Sequence, residues 1–214
     1  MNIVLLGPPV SGKGTLADSL WKKYGMPSVS PGALFRAEKV ADTSLGAQAD
    51  ALTSKGRLVS DTLVNSVVAT WLERNSLNNG VVFDGYPRTV GQGDTLAETL
   101  AKCGHHLDVT ILLEARVEVL RERVKARATC SACGLIVSVG LHVASDAMPC
   151  PRCAGPLSRR TDDTIETLES RLCEYEDKTA PLIDYYEKRN LLQRVNSERP
   201  PEQVFAEVCQ ILFA

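Results

Sequence analysis

Ile3-Val4-Leu5-Leu6 is an apolar run with no polar residue inside it. Such a run predicts a strand buried on both faces. It stops at Gly7-Pro8-Pro9, and residues 15–23 then read as helix. A short strand is expected at Val29. Over 61–74 the residues Leu63, Val64, Val67, Val68, Trp71 and Leu72 recur on one helical face, with Asp61 as the expected N-cap. Val81-Val82-Phe83 predicts another strand with Asp84 at its C-terminal end, and Val109–Leu113 a third. Residues 116–128 predict an arginine-rich helix that carries Arg123 and Arg127 on one face, since they are four apart. From 130 to 158 the periodicity is lost. A long helix is expected from Asp163 to Arg189, bent or interrupted near Pro181. A last strand, "LLQRVN", and a last helix with proline in its first turn close the chain.

Strands separated by helices imply β-α-β units and a parallel sheet. Parallel sheets place ligands at the carboxyl ends of their strands, where Gly7 and Asp84 fall. The segment Gly7-x4-Gly12-Lys13-Gly14-Thr15 lies between a strand and a helix. That context and spacing match a phosphate-binding loop, with a glycine between the lysine and the threonine. Small residues let main-chain N–H groups turn inward around a phosphate, and the helix adds its positive end. Lys13 supplies a mobile charge for the outer phosphates. The loop predicts nucleotide binding without naming a reaction.

Composition narrows the class. The chain has 214 residues, 44% hydrophobic and 23% charged, with net charge −2. No overall field favours a polyanion. No apolar run reaches the ~20 residues that a membrane helix needs, and the N-terminus lacks a basic leader. A cytoplasmic protein is expected. Its seven cysteines are then expected as thiols or metal ligands rather than disulfides. Cys130, Cys133, Cys150 and Cys153 form C-x2-C, sixteen residues, C-x2-C. The spacing fits a closed tetrahedral zinc site of two knuckles, structural in role, which iron or cobalt can also occupy. Two disulfides or a redox pair are the alternatives. Cys103, Cys173 and Cys209 are expected as buried small hydrophobes, and His105, His106 and His142 as satisfied or solvent-facing.

Taken together, "GPPVSGKGT", "FDGYPRT" and the four-cysteine insert resemble the adenylate kinases, in matching order along essentially the whole chain. "RTDD" and "TAPLIDYYEK" add to the likeness. The resemblance implies an α/β fold of the P-loop nucleoside triphosphate hydrolase type, a parallel sheet flanked by helices. Residues 1–29, 60–127 and 160–214 would form the core, 30–59 an AMP-binding lobe and 128–159 a zinc-binding lid. The implied reaction is MgATP plus AMP to two ADP. ATP would be held by Val10, Ser11, Gly12, Lys13, Gly14, Thr15, Arg123, Arg127, Val137 and Arg199. AMP would meet Pro31, Arg36, Arg57, Leu58, Val59, Gly85, Tyr86, Pro87, Arg88, Gln92, Arg160 and Arg171, with Gln92 reading the base. Lys13, Arg88, Arg127, Arg160 and Arg171 would be catalytic, and Asp84 would orient magnesium through water. The partners would be ATP, AMP and ADP, with no nucleic acid or membrane, and the protein a monomer.

The chain departs from that family's pattern at four positions. Val10 stands where glycine is usual, so either its φ stays negative or phosphate affinity suffers. Pro31 and Ala33 replace a threonine and an aspartate, and Val137 replaces a lid aromatic. The competing readings are a kinase of the same scaffold acting on UMP, CMP or GMP, and a nucleotide-switched zinc-ribbon protein that binds nucleic acid. The acidic balance and the lack of aromatics near the cysteines count against the latter.

Overall fold

A computed structural model describes residues 1–213. The chain begins with β1 (Asn2–Leu6), the phosphate loop and α1 (Lys13–Tyr24), then β2 (Ser28–Val29). Two helices follow, α2 (Pro31–Val40) and α3 (Ser44–Thr53), and then α4 (Asp61–Arg74), β3 (Val81–Asp84), α5 (Val90–Lys102) and β4 (Val109–Glu114). Next come α6 (Val117–Ala126) and three short strands, β5 (Arg127–Cys130), β6 (Ile136–Ser138) and β7 (Leu157–Ser158). The chain closes with α7 (Ile165–Glu174), α8 (Pro181–Glu187), β8 (Leu192–Asn196) and α9 (Pro201–Phe213).

Among the described residues the main sheet runs β2-β3-β1-β4-β8, every pair parallel. β1 sits at its centre, which is why it carries only buried residues. Its side chains alternate between two cores. Val4 and Leu6 join Phe83, Leu96, Leu100 and Leu182 on one face. Ile3 and Leu5 join Leu16, Leu20, Val204 and Val208 on the other. α1 and α9 thus cover one face, and α4, α5 and α8 the other. The sheet's rigidity fixes the two strand ends, Leu6 and Asp84, beside each other.

The 130–158 stretch is not structureless. β6-β5-β7 form a small antiparallel sheet over a core of Ala128, Cys130, Val137, Val143, Cys150 and Leu157. This sheet corrects the expected helix over 116–128. α6 ends at Ala126 and Arg127 is extended, paired in register with Ser138. Arg123 and Arg127 therefore do not share a helix face. The expected long helix starts at Ile165, not Asp163, behind a Thr164 cap. It is interrupted before Pro181, through a π turn over Tyr175–Thr179. Proline lacks the N–H that α-helical pairing needs there.

Two further expectations change. Asp61 is the first residue of α4 rather than its cap, and its carboxylate turns instead to Thr89 and Gln92. Cys103 and Cys173 are exposed and Cys209 is half-buried, so none is a core residue. Among the described residues no helix is long and apolar enough to cross a membrane.

Candidate active site and metal centre

A cavity of about 1130 Å³ opens where the ends of β1 and β3 face β6 of the small antiparallel sheet. That exceeds the ~300–1000 Å³ of a typical single-ligand pocket. The phosphate loop lines this cavity. Gly7 has φ +138°, and a Cβ there would lie 2.5 Å from the Leu113 carbonyl oxygen, so only glycine fits. Gly12, φ +106°, precedes the first turn of α1. Lys13 folds into the loop and its Nζ donates to the carbonyls of Gly7 and Pro8, both at 2.7 Å. Burial lowers its pKa to about 8; Asp84 works against that shift, while Arg88 and Arg127 add to it. Val10 has φ +56°. The loop therefore keeps a left-handed turn at this position although the residue is β-branched. Ser11, Gly14 and Thr15 line the cavity beside it.

Asp84, at the end of β3, lies close to the loop, its Oδ2 3.5 Å from the point where a Gly14 Cβ would sit. Its carboxylate is a hard oxygen donor beside the glycine loop, of the kind that suits a magnesium ion.

Arginines make up much of the cavity's charged lining. Arg36, Arg88, Arg123, Arg127, Arg160, Arg171 and Arg199 all line the cavity. Arg127 pairs with Asp163, whose side chain is 1% exposed, and Arg171 pairs with Asp162. Burial lowers Arg160 to about 10, with Arg36 and Arg127 adding to the shift. Arg123 donates from Nη1 to the Ser11 carbonyl at 3.3 Å and from Nη2 to the Ser197 carbonyl, which ties α6 to the loop. Arg199 is turned toward Glu207.

Pro31, Arg57, Leu58, Val59, Gly85, Pro87 and Gln92 also line the cavity. Arg88 Nε donates to the Gly85 carbonyl at 2.8 Å. Its main chain is held on both sides, by Gln92 Oε1 at 2.7 Å and Thr179 Oγ1 at 2.9 Å. The Leu58 N–H donates to Glu174 Oε1 at 3.2 Å. Tyr86 departs from expectation. It is 1% exposed and belongs to the core, its hydroxyl donating to Asn65 Oδ1 at 2.8 Å, so it does not line the cavity. Val137 touches the cavity wall, but its side chain packs inside the lid, opposite Ala128. The neighbouring Ile136 reaches the phosphate loop instead, its Cδ1 3.6 Å from the Gly14 Cβ position.

In the lid the four cysteine sulfurs all lie within 4.8 Å of one another. The Cys130–Cys153 and Cys133–Cys150 sulfurs are 3.5 and 3.7 Å apart. Four thiolates placed ~2.3 Å from a tetrahedral zinc would have sulfurs about 3.8 Å apart, so the cluster fits a tetrahedral thiolate metal. The two knuckles are built alike. Gly134 N donates to the Cys130 carbonyl at 2.9 Å, and Ala154 N to the Cys150 carbonyl at 2.8 Å. Each turn ends on a positive φ, 72° at Gly134 and 58° at Ala154. Arg152, inside the second knuckle, reaches Asp18 of α1 with bonds of 2.7 and 2.8 Å, joining lid to core.

Sequence reasoning missed Asp162, Thr179, Ile136 and Glu174, and gave Asp61 and Asp163 helix-start roles in place of their contacts with Gln92 and Arg127. The "RTDD" segment was the one local signal for Asp162 and Asp163.

Comparison with known proteins agrees with this geometry. The adenylate kinase family profile matches residues 5–191. A curated adenylate kinase of Thermodesulfovibrio yellowstonii is 38% identical over 212 residues, 99% of each chain. One from Pseudothermotoga lettingae is 40% identical over 213 residues, covering 99% of this chain and 98% of its own. One from Novosphingobium aromaticivorans is 38% identical over 215 residues and the full length of both.

Proposed function

Because the chain belongs to the adenylate kinase family, we propose that it reversibly transfers the terminal phosphoryl group of MgATP to AMP, giving two ADP. The observation that carries this reading is one continuous cavity lined by the phosphate loop, the adjacent Gly85–Arg88 turn, the Arg57–Val59 segment and a set of arginines. Phosphoryl transfer asks for in-line placement of two phosphates and neutralisation of spreading charge, with little covalent chemistry from the protein.

On this reading Gly7 to Thr15 cradle the triphosphate, and Lys13 exchanges its two carbonyl partners for phosphate oxygens. Arg36 and Arg88 hold the AMP phosphate. Arg127, Arg160 and Arg171 flank the transferring group, their planar forks suited to phosphate oxygens. Gln92 reads the acceptor base, with the backbone of Arg57, Leu58 and Val59 beside it. Arg123 and Arg199 stand near the donor base. Asp84 would hold the magnesium of MgATP through water, and that ion offsets part of the triphosphate charge. Residues 30–59 act as the acceptor lobe, and 128–159 as a lid that excludes water, a competing acceptor.

The lid metal is proposed as zinc, held by Cys130, Cys133, Cys150 and Cys153. It has no open coordination position and serves the lid's fold, which ~30 residues cannot otherwise support. A four-thiolate metal site suits a reducing, cytoplasmic setting, and the family resemblance supports a monomer.

The test is a coupled assay of the metal-loaded protein with ATP and a panel of acceptors, AMP, UMP, CMP and GMP, with metal content measured on the same sample. AMP is expected to be preferred. Absence of ADP formation from ATP and AMP would overturn the proposal, and preference for another monophosphate would move it to a sister activity.

A further inference from the structure

We infer that Asp61 is a specificity-determining residue: it fixes the sense of the Gln92 amide so that the acceptor site takes a 6-amino purine and rejects a 6-oxo purine. The inference rests on the reading that Gln92 meets the acceptor base.

Gln92 sits in the first turn of α5, 1% exposed, at the cavity wall. Its amide has a partner on each side. Nε2 donates to Asp61 Oδ1 at 2.7 Å, and Oε1 accepts from the Arg88 backbone N–H at 2.7 Å. Neither partner can change its sense. A backbone N–H only donates and an ionised carboxylate only accepts. An amide that could otherwise turn over is therefore locked with nitrogen toward Asp61 and oxygen toward Arg88. Asp61 is itself held, because its Oδ2 accepts from Thr89 Oγ1 at 2.6 Å. Thr89 is the cap of α5, accepting from Gln92 N at 3.1 Å. Carboxylate, cap and amide form one closed network joining α4 to α5.

The lock leaves Gln92 one free N–H and one free lone pair. Adenine offers an acceptor at N1 and a donor at N6, which complement them. Hypoxanthine and guanine offer a donor at N1 and an acceptor at O6. With the amide fixed, those edges set donor against donor and acceptor against acceptor. Turning the amide over would put its oxygen against the Asp61 carboxylate, two acceptors in a buried place. Turning the base over would swing the ribose away from Arg36 and Arg88. An unlocked glutamine could serve either purine.

The test uses AMP and inosine monophosphate, which reverses the hydrogen-bonding edge without the bulk of a 2-amino group. kcat/KM is measured for both on one preparation of full-length, metal-loaded protein, so the ratio cancels any loss of folded enzyme. Asp61→Asn is nearly isosteric, and its carboxamide, unlike a carboxylate, can turn over to donate to a reversed Gln92 oxygen, so reversal then costs only the mismatch at the Arg88 N–H. The AMP-to-IMP ratio is expected to fall about tenfold, mainly by gain with IMP, since a mismatched buried hydrogen bond is worth roughly that factor. A fall of less than threefold, or a wild-type protein with no preference for AMP, overturns the inference. Should Asp61→Asn not fold, Asp61→Ser is read by the same ratio. A merely structural role would lower both substrates alike. Gln92→Ala tests the underlying reading. It should cost AMP at least tenfold in kcat/KM, and no loss would show that Gln92 does not read the base.

Discussion

Val10 holds φ +56° in the phosphate loop, and a substitution series there separates backbone strain from packing. A left-handed backbone costs a residue bearing a Cβ roughly 1–2 kcal/mol. The side chain offsets some of this, because it packs, half-buried, against the cluster of Leu120, Val124 and Leu168. Val10→Ala keeps the strain and loses two methyl groups, which at half burial are worth about 1 kcal/mol. Val10→Gly loses the same contacts but releases the strain, at an entropic cost of about 0.5–1 kcal/mol. Glycine should therefore be the more stable of the two variants by about 0.5–1 kcal/mol, the reverse of their order in ordinary backbone. At this chain length that difference is about 1–4 °C in Tm. Urea melts give the midpoints and, through the slope, check that the unfolded state is unchanged. ATP affinity should move less than about threefold in Val10→Gly, because valine already holds the loop in shape and the strain enters stability, not phosphate binding. Alanine as stable as glycine would show that position 10 is not strained, and a large gain in affinity with glycine would show that valine distorts the cradle.

Three other outcomes are expected. On the proposed reading Lys13 binds phosphate as a cation, and since burial lowers its pKa to about 8, ATP affinity should weaken by up to about tenfold per pH unit above that point. Calorimetry in buffers of different ionisation enthalpy should show proton uptake on binding there, and Lys13→Met should abolish it. Chelation of the lid metal, or Cys130→Ser, should strip amide protection from 128–159 and lower kcat/KM at least tenfold while the core stays folded; hydrogen exchange resolves the two regions. Asp18→Ala removes the partner of Arg152, a half-exposed pair worth about 0.5–1 kcal/mol, so KM for ATP should rise about two- to fivefold as the lid opens more often.

What could be read in the chain was what neighbouring residues decide. The unbroken apolar run of β1 announces a central strand, and the glycines after it are required by contacts as close as that between Gly7 and Leu113. The cysteine spacing shows the metal cluster because each knuckle closes within a few residues. Arg127 was misplaced because helical periodicity continues through it; its strand exists only by pairing with Ser138, a contact the local sequence does not carry. Tyr86 looked like part of the turn around it, yet Asn65 and the core claim its side chain. Asp61 looked like a cap because it opens a helix, and its real partners lie 28 and 31 residues away. In each case the deciding contact is distant in sequence.

The acids paired with the arginines show how such a site can be stable without substrate. Guanidinium groups do not lose their protons at any working pH, so a cavity ringed by them repels itself when empty. Asp162 and Asp163 sit side by side where the chain leaves the lid sheet for α7, and each meets one arginine, Arg171 and Arg127. They occupy the role that phosphate oxygens would take over. Burying a charge unpaired costs far more than burying it paired, so removing either acid should raise the cost of the empty state more than that of the nucleotide complex. The same adjacency explains why the lid needs a rigid frame. Arg127 begins β5, whose far end is the first metal ligand, Cys130, and Arg160 leaves the paired strand β7 two residues after Ser158. On the proposed reading, a metal held by the four cysteines would fix the strands that carry Arg127 and Arg160, and Asp162 and Asp163 would hold Arg171 and Arg127 until phosphates displace them.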